Sequence, residues 1–233
     1  MKQITSTITE KQVVFYGSPH ANLCVLQLVS SHNEKTIVQT IEFLKNAIGE
    51  IPFVLTALKI EDWNTELSPW NSPAVFGNNH FKDGAAHTLS YILDTLLPEI
   101  NARFELNPSN TKYVLGGYSL AALFALWAGY KTHQFDGIAA ASPSVWFPKW
   151  DDFIQNHAMQ AKKVYLSLGN QESHTKNLTL KKVAKRIQLQ YDILSAQIGD
   201  SNCTLEWHHG NHFKDTDLRK VKALAWTINE LLC

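Results

Sequence analysis

Three polar residues stand where a chain could run acyl-transfer chemistry: Ser119, Glu172 and His212. Ser119 lies inside LGGYSLAALFALWAG, residues 115–129, where a strand-like run meets a long apolar, helix-like run. Gly117, Ser119 and Ala121 spell G-x-S-x-A, a variant of the G-x-S-x-G nucleophile elbow. The requirement is steric. A serine on a sharp strand-to-helix turn needs small residues on either side. Such a turn lifts Oγ out of the sheet and aims the following N–H, that of Leu120, at an incoming oxyanion. Gly117 gives the turn room. Ala121 is the weaker match, because its methyl keeps helix and strand slightly apart. The motif alone is weak, since a serine there serves equally well as a helix N-cap.

A serine nucleophile needs a base, and the base needs an orienting carboxylate. In proteins with this turn the chain order is Ser, then Asp or Glu, then His. Glu172 follows the strand-like run 162–169 across a Gly-Asn turn, in LSLGNQESHTKN. His212 follows the last strand-like run, after Gly210-Asn211, in WHHGNHFKD. His208 and His209 sit nearer that strand and read as structural. A lone Glu is more often a solvated loop residue, and Asp151, Asp152, Asp215 and Asp217 are alternative acids. Serine, acid and histidine at three strand ends in this order is a far less accidental pattern than the elbow alone.

The elements that must position these residues alternate. Strands are expected over 21–30, 52–59, 112–117, 135–142, 162–169 and 203–209. Helices are expected over 35–48, with Asn33 as a cap, and over 84–104 (bent near Pro98), 119–131, 177–199 and 216–232. The alternation predicts an α/β fold: a mainly parallel central sheet, helices on both faces, and no separate cap domain. The Val/Leu/Ala-rich strands fit a sheet covered on both faces. Residues 60–83, rich in Pro, Asn and Trp, form a long connection of the functional kind. The interval Pro143–Ala161 has room for a turn and one short helix.

Of the 233 residues, 45% are hydrophobic and 18% charged, with a formal net charge of zero. That suits one domain over 1–233 with a sizeable core. It gives no electrostatic reason to expect nucleic acid or an anionic membrane as partner. No run of 18 apolar residues and no apolar core of leader length occur, so a cytoplasmic protein without a membrane span is expected. Three cysteines without a CxxC, Cys24, Cys203 and Cys233, read as reduced thiols. Ten scattered histidines carry no HExxH or Cys/His spacing, so no metal and no cofactor are expected. The sequence leaves homo-oligomerisation open.

At this point the chain resembles the serine esterases of the α/β-hydrolase superfamily, the branch with esterase D-like and enterochelin (siderophore) esterase-like enzymes. The resemblance rests on DWNTELSPW, AAHTLSYILDTLLPEI, GGYSLAALFALWA, ASPSVWFP, YLSLGNQESHTKN and GNHFKDTDLRKVKALAW, roughly residues 54 to 227. It implies the α/β-hydrolase fold with Ser119 as nucleophile, Glu172 as acid and His212 as base. It also implies an oxyanion hole from the backbone N–H of Leu120 and of a residue near Leu58. Relatives usually carry a glycine where this chain has Ala121 or Ala122. The first fifty residues match poorly, and their strand order is not implied.

The expected reaction is hydrolysis of a small-molecule carboxylic ester through an acyl-enzyme. Without a lid domain the site should be an open cleft rimmed by Trp63, Trp70 and Trp146, with Trp150 nearby, favouring short-chain or bulky, partly polar esters. A thioesterase or an acyltransferase would use the same residues. A non-catalytic binding module and a metallohydrolase built on His208, His209 and His212 are the remaining readings.

Overall fold

The Val-, Leu- and Ala-rich runs form the middle of an eight-stranded sheet in a computed structural model that describes residues 2–30, 37–75 and 77–233. Its strands are β1 (Lys2–Ile8), β2 (Lys11–Gly17), β3 (Leu23–Val29), β4 (Val54–Lys59), β5 (Lys112–Tyr118), β6 (Gly137–Ala141), β7 (Lys163–Gly169) and β8 (Cys203–His208). Their order is β1-β2-β4-β3-β5-β6-β7-β8. From β4 onward every pairing is parallel; β1 with β2 and β2 with β4 are antiparallel. Residues of β3 and β6 are buried throughout, as two covered faces demand.

Helices α1 (Ile37–Ile48) and α8 (Thr216–Leu232) cover one face, through Ile41, Leu44, Leu224 and Ile228. The other face carries α3 (Ala85–Tyr91), α4 (Leu97–Arg103), α5 (Leu120–Lys131), α6 (Trp150–Gln155) and α7 (Val183–Ile198). Apart from its last residue, Lys131, α5 is buried on every side, which explains its almost wholly apolar sequence. The segment 84–104 runs as α3, a wide π turn over Ile92–Leu96, and α4. The wide turn lies directly before Pro98, whose ring and missing N–H disrupt the ordinary i to i−4 ladder. Helix 177–199 is shorter than its periodicity suggests. Asn177 Oδ1 accepts from the Thr179 and Leu180 N–H groups, and a 3-10 turn over Leu180–Lys182 precedes α7.

Two elements depart from the sequence reading. The hairpin β1–β2 was not anticipated. Its two-residue loop, Thr9-Glu10, has both φ angles positive, 45° and 70°. Hairpin loops of this kind normally announce themselves through Asn-Gly or Asp-Gly, and here neither is present. The connection 60–83 also has internal order. A short helix, α2 (Trp63–Glu66), is capped by Asp62, and Glu66 Oε1 accepts from the Glu61 and Asp62 N–H groups. Ser72 pairs with Phe81 across the rest. Asn33, the expected cap of α1, lies outside the described residues.

Candidate active site

The turn from β5 into α5 holds Ser119 at φ 60°, ψ −121°. A non-glycine residue with φ in this range is strained by about 1–3 kcal/mol and persists only where its surroundings impose it. Its surroundings do so here. Ser119 N–H donates to Ala141 O at 3.2 Å, and Ser119 O accepts from Ala122, Leu123 and Ser144 N–H groups at 3.1 Å each. A Cβ built on Gly117 would lie 2.4 Å from the Ala121 carbonyl carbon and 2.5 Å from its oxygen. The first turn of α5 therefore rests on the bare Cα of Gly117. Gly117→Ala is expected to destabilise the fold by about 2–3 kcal/mol through overpacking, read as a lower urea midpoint. An unchanged midpoint would mean that the elbow yields more easily than these contacts allow.

Two loops bring a histidine and a carboxylate to Ser119. His212, after β8, places Nε2 3.0 Å from Ser119 Oγ and Nδ1 2.7 Å from Glu172 Oε2. Glu172, after β7, turns its other oxygen inward. Oε1 accepts from Gly169 N–H at 2.7 Å, Ser142 Oγ–H at 2.9 Å and Arg219 Nη1 at 3.1 Å. Burial pushes the carboxyl up, but the hydrogen bond and charge of His212, the Gly169 N–H and the Ser142 hydroxyl outweigh it. The result holds Glu172 below the ordinary glutamate range. Two of the alternative acids are engaged elsewhere. Asp151 pairs with Arg186 at 3.0 Å and Asp217 with Lys220 at 2.6 Å, while Asp215 opens α8 in a left-handed conformation. His209 is exposed. His208 contacts Tyr165 Oη at 3.3 Å, and burial holds its imidazole below the ordinary value. Among the described residues no three His, Cys, Asp or Glu side chains converge as metal ligands.

Two cavities meet at Ser119 and His212. One, of about 190 Å³, is walled by Trp146, Leu180, Val183 and Phe213. The other, of about 370 Å³, is walled by Val29, Trp63, Tyr118, Thr216 and Lys220. A larger one of about 740 Å³ lies within the 60–83 segment and reaches none of Ser119, Glu172 or His212. Trp63 and Trp146 thus line cavities that reach Ser119, whereas Trp70 does not. Its indole packs on Phe147, Trp150 and Phe153 and donates to Pro148 O at 2.9 Å. Trp150 is fully buried and donates to Gln190. Both belong to the packing under the loop.

The expected donor near Leu58 also needs correction. The order β4-β3-β5 puts β4 two strand spacings, about 9–10 Å, from the strand that carries Ser119. An oxyanion donor must stand about 3 Å from the developing charge. Leu58 is fully buried and paired between Val13 and Leu28 in the ladder. Leu120, in contrast, is the first residue of α5, and a first-turn N–H has no acceptor within its own helix.

Several residues at the site escaped the sequence reading. Ser144 Oγ lies 3.3 Å from Ser119 Oγ, and Tyr118 Oη donates to His212 O at 2.6 Å. Arg219, only 1% exposed, reaches Glu172 from α8. Ser144 and Arg219 lie within segments that carry the family resemblance, ASPSVWFP and GNHFKDTDLRKVKALAW. Nothing in residue type or spacing marked them out.

A sheet in this strand order, with the serine turn after β5 and the carboxylate and histidine loops after β7 and β8, is the α/β-hydrolase fold. The sequence matches the family model described as "Putative esterase" over residues 6–218, and the chain belongs to that family. It is a carboxylic ester hydrolase. The IroE-like serine hydrolase from Shewanella oneidensis has a similar structure, with a TM-score of 0.77 at 14% identity, covering 97% of this chain and 79% of that one. So has the siderophore hydrolase EstA from Aspergillus nidulans, with a TM-score of 0.71 at 17% identity over 99% and 93%. The enterobactin esterase FES from Shigella flexneri gives 0.69 at 15% identity; the match covers 99% of this chain and 59% of FES. At these identities the likeness is one of fold. No curated protein sequence matches the chain.

Proposed function

We propose that Ser119, His212 and Glu172 form the catalytic triad of this esterase. The observation that carries the reading is the continuous chain from Ser119 Oγ through the His212 ring to Glu172, at 3.0 and 2.7 Å, beneath a serine in the strained elbow conformation. His212 Nε2 takes the Ser119 proton as Oγ attacks the ester carbonyl. The Leu120 N–H holds the tetrahedral oxyanion, a contribution of about 3–4 kcal/mol per donor. Glu172 fixes the Nδ1–H tautomer and stabilises the imidazolium. The imidazolium then protonates the departing alcohol; water, deprotonated by His212, attacks the acyl carbon, and the acid leaves as His212 returns that proton to Ser119 Oγ.

The substrates are short-chain or bulky, partly polar esters. The apolar cavity of about 190 Å³ suits a compact group, and the larger one, with Lys220 and Thr216, suits a polar portion. Between β6 and β7 stands only α6, too little chain to enclose a long alkyl tail. A panel of p-nitrophenyl esters from acetate to palmitate tests this. The kcat/KM is expected to peak at the short end and to show no rise on micelle formation. An optimum at long chains, with activity rising at the interface, would contradict the open cleft. No helix among the described residues is long and apolar enough to cross a membrane, and we take the protein to act on small molecules in the cytoplasm.

A further inference from the structure

We propose that Arg219 is a positioning residue for ester hydrolysis: one buried guanidinium braces both the turn that carries Glu172 and the loop that carries His212. The inference rests on the triad reading above. Nη1 donates to Glu172 Oε1 at 3.1 Å and to Ser142 Oγ at 3.2 Å, and Nη2 donates to Asn211 O, the carbonyl just before His212, at 3.1 Å. Nη1 also reaches Tyr118 Oη at 3.3 Å, whose own proton goes to the His212 carbonyl. Burial pushes the Tyr118 phenol up, so it stays a donor. The acid and the base's loop thus share a single planar fork, which fixes the carboxylate rotamer so that Oε2 alone faces the imidazole.

The site is built around this fork. A Cβ on Gly169 would lie 2.9 Å from Glu172 Oε1, 3.0 Å from Arg219 Nη1 and 2.4 Å from Gly210 O. The glycine therefore lets three chain segments close on the pair. Arg219 Nε has no hydrogen-bond partner among the described residues, an unfavourable arrangement for a residue serving packing alone. The titratable groups around the carboxylate are His212, Tyr118 on β5 and His208 on β8, with Tyr165 on β7 and Glu206 on β8 beyond them. Arg219 is the permanent cation in contact with Glu172. Removing it leaves the carboxylate's charge less compensated, which favours a protonated imidazole and moves the acid limb of the pH–rate profile upward.

The test compares Arg219→Met, Arg219→Lys and Tyr118→Phe with the wild type on p-nitrophenyl acetate across pH 5 to 9. Folding is followed by thermal melting, and Ser119 reactivity by fluorophosphonate labelling. We expect Arg219→Met to lower kcat roughly tenfold to a hundredfold with little change in KM, and to move the acid limb up by about half a pH unit. Arg219→Lys should bring the limb back while recovering kcat only in part, since it restores charge without the fork. A folded Arg219→Met with wild-type kcat and acid limb overturns the proposal. If Arg219→Met does not fold, wild-type profiles in both Arg219→Lys and Tyr118→Phe overturn it. Failure of the triad reading shows separately, as a wild-type protein that fluorophosphonate does not label at Ser119.

Discussion

Ser119→Ala is expected to reduce ester hydrolysis by a factor on the order of 10⁴–10⁶ while leaving the melting temperature close to that of the parent. The size follows from how triads behave: nucleophile and base act as a unit, so losing either costs about as much as losing both. What survives is the contribution of oxyanion donors and substrate binding. The fold should tolerate the change because Oγ makes only two side-chain contacts, with His212 at the cleft and at 3.3 Å with Ser144, while the backbone bonds to Ala141, Ala122, Leu123 and Ser144 remain. His212→Ala should fall almost as far. His208→Ala and His209→Ala should keep most of the activity, since neither ring reaches Ser119 or Glu172 by a hydrogen bond in the structure. Substantial turnover in Ser119→Ala or in His212→Ala would remove the serine or the histidine from the mechanism.

The hydrogen-bonded chain was legible in the sequence because its members occupy positions that the fold fixes. Gly117 and Ser119 mark the turn by steric need, and Glu172 and His212 each follow a strand end. What was not legible depended on strand order and packing direction. Leu58 lies at the end of the strand that precedes β5 in chain order, yet β3 intervenes in the sheet, and only the sheet order reveals this. Trp70 and Trp63 come from the same Trp-rich connection, but one indole packs on Phe147, Trp150 and Phe153 and the other lies at the cleft. Arg219 looks like an ordinary basic residue in the first turns of an amphipathic helix. Its burial follows from the approach of α8 to β5, β6 and β7, which no periodicity encodes. The β1–β2 hairpin escaped because Thr9 and Glu10 adopt a conformation their residue types disfavour.

Glu172→Gln is expected to cost both turnover and stability, and the two losses have different partners. Toward His212, glutamine cannot stabilise the imidazolium, and its amide can present a donor where Nδ1–H needs an acceptor. By analogy with Asp→Asn in other triads, kcat should fall by about 10³–10⁴. Toward α8, the change leaves the Arg219 guanidinium, 1% exposed, without its carboxylate. Breaking one side of a buried ion pair costs about 3–5 kcal/mol. The pH dependence follows from the depressed carboxyl of Glu172. Its stabilising contribution is complete above the ordinary glutamate range and is lost as pH falls through the depressed value. The wild type should therefore lose stability in that acidic window, and Glu172→Gln should show a flatter profile there. Combining Glu172→Gln with Arg219→Met removes the orphaned charge. The double variant should regain much of the lost stability, as read by urea unfolding, and none of the lost turnover. If Glu172→Gln were nearly as active as the parent while Asp151→Asn or Asp152→Asn collapsed, the acid would belong to α6, between β6 and β7. The Glu172–Arg219 pair would then be purely structural.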